Sequence, residues 1–163
     1  MKHEYTVDLS TSGINKFIGI LGGYKIWLNK KADELAKRLA EMGATKASIY
    51  FGEAVYDGIY DFEVHYEPAK NGYTVRASGE KVLFVEFGSG LIGYGHPEAE
   101  TNGMGPGTYN PASDNWKNPD GWWYSGWDGS RHTYGNPPNM PMYRTVKELE
   151  EELSRVVQEV FSN

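Results

Sequence analysis

The chain has 163 residues, with 16 lysines and arginines against 22 aspartates and glutamates, a formal charge of −6. That length suits one domain with its own core. The acidic balance favours solubility and weighs against a nucleic-acid groove, and the lack of cysteine excludes a disulfide framework and any thiolate metal site. No apolar run approaches the roughly 18 residues of a membrane span and the N-terminus lacks a signal-peptide shape, so the expected address is the cytoplasm or a particle assembled there.

Residues 1–10 are polar and without pattern. From Ile14 a regular series begins: Ile14, Leu21, Leu28, Leu35 and Met42 fall seven apart, and Ile18, Ala32 and Leu39 fill a second seam that Lys25 alone interrupts. This spacing predicts an amphipathic helix over about 12–42 with a heptad-like stripe. Ser12 is placed to cap it and Gly43 to stop it. Gly19, Gly22 and Gly23 each cost about 1 kcal/mol relative to alanine in its first third. The helix is longer than a small sheet needs, so its stripe either lies along its own sheet or continues onto a neighbouring subunit.

Residues 44–59 are ambiguous: Ile49, Tyr50 and Phe51 could form a short strand, and Tyr56-Asp57-Gly58 marks a turn. Beyond them the period becomes two. Phe62, Val64 and Tyr66 alternate with acids and His65, predicting a half-exposed strand over about 60–67. Asn71-Gly72 signals a hairpin, with the return strand over about 73–78. Val82 to Phe87, five apolar residues of six and no alternation, reads as a covered third strand ending at Gly88-Ser89-Gly90.

Residues 88–142 change character, holding seven of the eight prolines, 11 of the 20 glycines and four of the five tryptophans. No window sustains a helical or strand period, so the stretch reads as one long loop, yet it is too aromatic for a disordered linker. A closing helix over about 143–161 is marked by Tyr143, Val146, Leu149, Leu153 and Val156 at steps of three and four, with Pro141 placed to set its start. The whole is a single α+β domain, 1–163. An antiparallel β-meander is packed by a long N-terminal helix and a C-terminal helix, with a Gly/Pro/Trp-rich loop before the last helix. Phe84, Val85 and Phe87 are expected in the core, covered by Leu149, Leu153 and Val156.

Candidates for chemistry are few. His96 and His132, with Glu86, Glu98 or Asp114, lack metal-ligand spacing on any recognisable element. Gly88-Ser89-Gly90 lacks the flanks of a nucleophile elbow, and no helix pattern follows these glycines to make a phosphate cradle. The expectation is therefore no catalytic residue, no metal and no cofactor. Glu86, a carboxylate in an apolar run, must be paired, hydrogen-bonded or protonated. The favoured reading is a structural acceptor for the Gly88-Ser89-Gly90 amides or a partner for Arg76, with a subunit-bridging charge or a catalytic acid behind it. The loop aromatics can pack as a lid on the sheet, form a subunit interface, or present an aromatic platform to carbohydrate. Trp122, Trp123, Tyr124 and Trp127 are the expected contact residues, Met140 and Met142 adaptable apolar fillers beside them, and Gly88, Gly90 and Pro141 the loop's hinges.

The sequence E-F-G-S-G at Glu86–Gly90 and G-N-P-P-N-M-P-M-Y at Gly135–Tyr143 resembles the gene-product-ten-like family of phage minor structural proteins, which are head–tail joining or tail-completion components. The Tyr56-Asp57-Gly58 and Asn71-Gly72-Tyr73 stretches look like those of prophage members. The likeness extends to the order of elements over most of the chain, although segment 100–134 is longer than the generic family loop. The resemblance implies a non-enzymatic virion protein of the neck, assembled in the host bacterial cytoplasm. Its partners would be further copies of itself in a ring and the neighbouring connector and tail proteins, with no membrane and no specific nucleic acid.

Overall fold

The computed structural model describes residues 6, 8–54, 62–104, 114–126 and 129–162. Its elements are α1 (Thr11–Glu53), β1 (Glu63–Ala69), β2 (Gly72–Ser78), α2 (Val82–Phe87), β3 (Trp122–Gly126), β4 (Gly129–Thr133) and α3 (Pro141–Phe161), with a 3-10 turn at Asn115–Lys117. The architecture is α+β: a long N-terminal helix, a C-terminal helix and two antiparallel hairpins.

The first helix is 43 residues long, about 65 Å at 1.5 Å per residue. Its cap is Ser10 rather than Ser12: Ser10 Oγ accepts from Gly13 N–H at 3.1 Å, and Asp8 in turn accepts from the Ser10 amide and hydroxyl. Those two bonds hold the Asp8 carboxyl below its ordinary value. Gly43 does not stop the helix. A Cβ there would lie 3.2 Å from both Leu149 Cδ1 and Val75 Cγ2, so the glycine is a notch that lets α3 and β2 approach. Residues 49–51 are accordingly helical, not a strand, and Phe51 becomes the centre of the core. With Ala54 and Val85 it gathers Phe62, Val64, Ala77, Val82 and Met142, the Phe51 and Phe62 rings lying 5.3 Å apart.

The second core seam joins α1 to α3 in antiparallel fashion. Ala40, Gly43 and Ala47 are buried on one helix, Thr145, Val156 and Val160 on the other. Charges clamp its flanks. Lys46 Nζ lies 2.6 Å from Glu148 and 3.8 Å from Glu152, Arg38 pairs with Glu159, and the Arg144 guanidinium lies over the Tyr50 ring at 3.8 Å. Leu149 packs at the Gly43 notch, while Leu153 remains 41% exposed instead of covering α2.

Two expectations need correction. Residues 82–87 form a short helix, not a third strand, so the first sheet is a two-stranded hairpin in the register Val64↔Ala77, Tyr66↔Val75. A continuous apolar run does not distinguish a covered strand from a buried helix. As a helix, the run turns Val85 and Glu86 inward and leaves Leu83 exposed. The 88–142 stretch also holds structure of its own: β3 and β4 pair as Trp122↔Thr133, Trp123↔His132 and Tyr124↔Arg131. Five-residue strands rich in glycine and serine are too short to declare a period. The Tyr56-Asp57-Gly58 turn and the start of the expected first strand lie outside the described residues.

Candidate interaction surface

The loop's two ends are fastened together by one carboxylate. Glu86 Oε2 accepts from Met142 N–H at 2.7 Å, and Oε1 accepts from Tyr143 N–H at 3.0 Å and from His96 Nε2 at 3.1 Å. His96 Nδ1 accepts from the Glu98 amide at 3.1 Å, so the neutral imidazole carries its proton on Nε2 and donates it to Glu86. Helix α3 needs this. Its N-cap, Met140, offers no side-chain oxygen and sits in the left-handed region at φ 56°. Glu86, on α2, therefore satisfies the first free amides of α3 across the fold, at the end where negative charge is favoured. Neither the Gly88-Ser89-Gly90 amides nor Arg76 is its partner; Arg76 pairs with Glu67. Both oxygens of Glu86 are engaged within the chain.

The expected hinges sit beside this clasp. Ser89 and Asn136 form a bridge, Ser89 N–H to Asn136 O at 2.7 Å and Asn136 N–H to Ser89 O at 3.0 Å, and Asn139 N–H reaches Val85 O at 2.9 Å. Gly88 (φ 77°) is buried where a Cβ would lie 2.7 Å from Asn136 O. At Gly90 (φ 67°) a Cβ would strike the Trp122 ring at 2.7 Å. Pro141 is buried at the first turn of α3. These three positions are fixed close approaches.

The expected contact residues do not share one environment. Trp122 and Tyr124 are half-buried, Trp122 lying against Gly90. Met140 is half-buried and Met142 packs on the Phe51 core, so Met142 serves the interior. Trp127 lies outside the described residues. Among the described ones Trp123 alone stands out, 68% exposed, its ring 5.2 Å from His132, which in turn lies 4.9 Å from Tyr134, itself 65% exposed.

A larger apolar surface lies on α1. Ile14, Ile18, Leu21 and Leu28 of the heptad stripe are exposed, Ile18 by 60% and Leu21 by 50%, and every residue from Leu21 to Lys30 is exposed. Where the helix first meets α3, at its far end, the Trp27 ring touches Phe161 with centroids 5.9 Å apart. Segment 11–32 carries four lysines (Lys16, Lys25, Lys30, Lys31) and no acid, so it holds +4 in a chain of −6, leaving −10 elsewhere. The signal for this surface was present in the sequence: a stripe that runs on for longer than its partners.

Elsewhere a shallow groove of about 500 Å³ between α1 and β1 is lined by Glu41, Thr45, Ser48, His65 and Tyr66. Tyr66 OH donates to Glu41 at 2.8 Å there, and this bond raises the phenol above its ordinary value. Among the described residues no group of three histidines or acids could hold a metal ion, and no helix is long and apolar enough to cross a membrane. Comparison with protein-family models, with curated proteins and with solved structures finds no match to this chain.

Proposed function

We propose that the chain is a non-enzymatic structural subunit of a phage or prophage neck, completing the tail and joining it to the head as one copy in a ring. The observation that carries this reading is the uncovered stripe of α1, Ile14 to Leu28, on a helix continuous with the packed body. Apolar surface of this extent marks an interaction site, and a protein that works by assembly needs such a surface more than a reactive centre. The family resemblance at Glu86–Gly90 and Gly135–Tyr143 supplies the setting: other copies, a connector and the tail, within a virion assembled in the host cytoplasm. In this reading Glu86 and the Ser89–Asn136 bridge hold the loop's base rigid while Trp123 and α1 meet neighbours.

The test is complementation. Lysates of a phage lacking this gene should hold unjoined heads and tails, and purified chain should restore infectious particles. Trp123→Ala should lower joining at least roughly tenfold while the melting temperature stays unchanged, because an exposed ring contributes to an interface and not to the fold. Equal losses of stability and joining would make the hairpin a lid, and failure of the wild-type chain to complement would remove the neck assignment. A second reading is favoured by the exposed row Trp123–His132–Tyr134, a platform for carbohydrate. The rings meet edge to face, at 65° and 79°, instead of forming one flat surface. A specific glycan-array hit lost in Trp123→Ala would move the assignment there.

A further inference from the structure

The stripe on α1 has a counterpart on α3. Along the outer flank of α3, Val146, Glu150, Leu153 and Val157 recur at steps of four, three and four. Val146, Glu150 and Leu153 are exposed and Val157 is half-buried. Along α1, Ile18, Leu21, Lys25 and Leu28 recur at steps of three, four and three, and all are exposed. Each stripe is apolar except at one position. That position is a lysine on α1 and a glutamate on α3.

We infer that the occupant of the α1 stripe is α3 of a second copy, laid antiparallel, with Lys25 of one subunit opposite Glu150 of the next. This rests on the ring reading above and names the surfaces that would meet. The antiparallel alignment places Leu28 with Val146, Lys25 with Glu150, Leu21 with Leu153 and Ile18 with Val157, so all four positions match. A parallel alignment through the same ion pair sets Val157 against the small Ala32 and Ile18 against Tyr143, whose ring is already engaged by His96, and it aligns the helix dipoles that the antiparallel arrangement opposes.

Charge selects this occupant over the alternatives. Pairing two α1 stripes would bring together two segments with four lysines each and no acid, which like-charge repulsion opposes. Helix α3 instead carries five glutamates (148, 150, 151, 152, 159) against Arg144, Lys147 and Arg155. Among the described residues Glu150 pairs only with Lys147, at 2.9 Å on the exposed surface, a contact of the kind that contributes little and is readily exchanged. Lys25 has no ion pair among the described residues. A single charged pair inside an apolar helix seam fixes register, and a contact between two different surfaces can repeat head-to-tail around a ring, as the ring reading requires.

The cysteine-free chain makes the pairing directly readable. Copies bearing Leu21→Cys are mixed with copies bearing Leu153→Cys at high concentration under mild oxidant; both sites are exposed, so neither change enters the core. The expected dominant product is the mixed disulfide dimer, α1 of one copy to α3 of the other. In sedimentation, Lys25→Glu and Glu150→Lys should each weaken self-association by roughly tenfold, and the two together should restore it to within about threefold. Homodimers of Leu21→Cys as the main product, no cross-link at all, or a double reversal that does not rescue would each overturn the inference. So would binding of the wild-type chain to acidic phospholipid vesicles that Lys25→Glu abolishes, without any cross-link. Particle completion with no Leu21–Leu153 cross-link would leave the neck assignment standing and remove only this pairing; the cross-link without completion would do the reverse.

Discussion

Glu86 is the residue on which loop and helix both depend. It is buried and accepts from two helix amides and one imidazole. Glu86→Gln keeps the shape but puts an NH2 group where only acceptors fit, and it removes the charge that suits a helix N-terminus. The expected loss is about 2–4 kcal/mol in chemical denaturation, from buried donors left unmet; a loss within measurement error would show the clasp to be dispensable. The sequence already marked this carboxylate as structural, because an acid in an apolar run must find donors. Its donors were not legible, since Met142 and Tyr143 follow 56 and 57 residues later and only tertiary closure brings them near. Met142, expected as an apolar filler where the loop rejoins the last helix, packs on the Phe51 core, a neighbour equally remote in sequence.

At the scale of the element, α1 contains two kinds of glycine. Nothing lies within 4 Å of a Cβ added at Gly22, whereas at Gly43 such a Cβ meets Leu149 and Val75 at 3.2 Å. Gly22→Ala should therefore stabilise the free half of the helix by about 0.5–1 kcal/mol, seen as slower amide hydrogen exchange over residues 14–28. Gly43→Ala should destabilise the fold by about 1–3 kcal/mol through overpacking, seen in the denaturation midpoint. Equal effects of the two would contradict the notch at Gly43. The heptad spacing from Ile14 made the helix legible and Pro141 fixed the start of the last one, but the reading of Gly43 as a stop shortened α1 by more than two turns. A glycine that ends a helix and one that admits a neighbour look alike in sequence. Val82–Phe87 was equally undecidable by period, and Trp122–Thr133 was too short to have one.

Across the whole molecule the ion pairs along α3 make stability depend on pH. Hydrogen bonds from Arg155 hold the carboxyls of Glu152 and Glu159 below their ordinary value of 4.5. A depressed carboxyl lends stability that is present in full above that value and is lost as the pH falls through the lowered one. The melting temperature should thus fall as the pH is taken from about 5 toward about 3, and Arg155→Met should lessen the slope. An unchanged slope would show the pairs to be too well solvated to contribute, as exposed pairs often are. The α+β architecture was readable from the alternation at Phe62–Tyr66 and the two helical periods. The size of the uncovered α1 surface was not, because it depends on where α3 ends against Trp27.

The bridge between Ser89 and Asn136 brings the limits of a 46-residue excursion into contact. Chain inserted between them therefore leaves the frame on either side undisturbed. The entropy of closing a flexible segment rises only logarithmically, about 0.6 kcal/mol for each doubling of length. Insertions placed after His96 should accordingly spare the helices and the Glu86 clasp, whereas exchange of the whole stretch would remove the imidazole that the clasp binds.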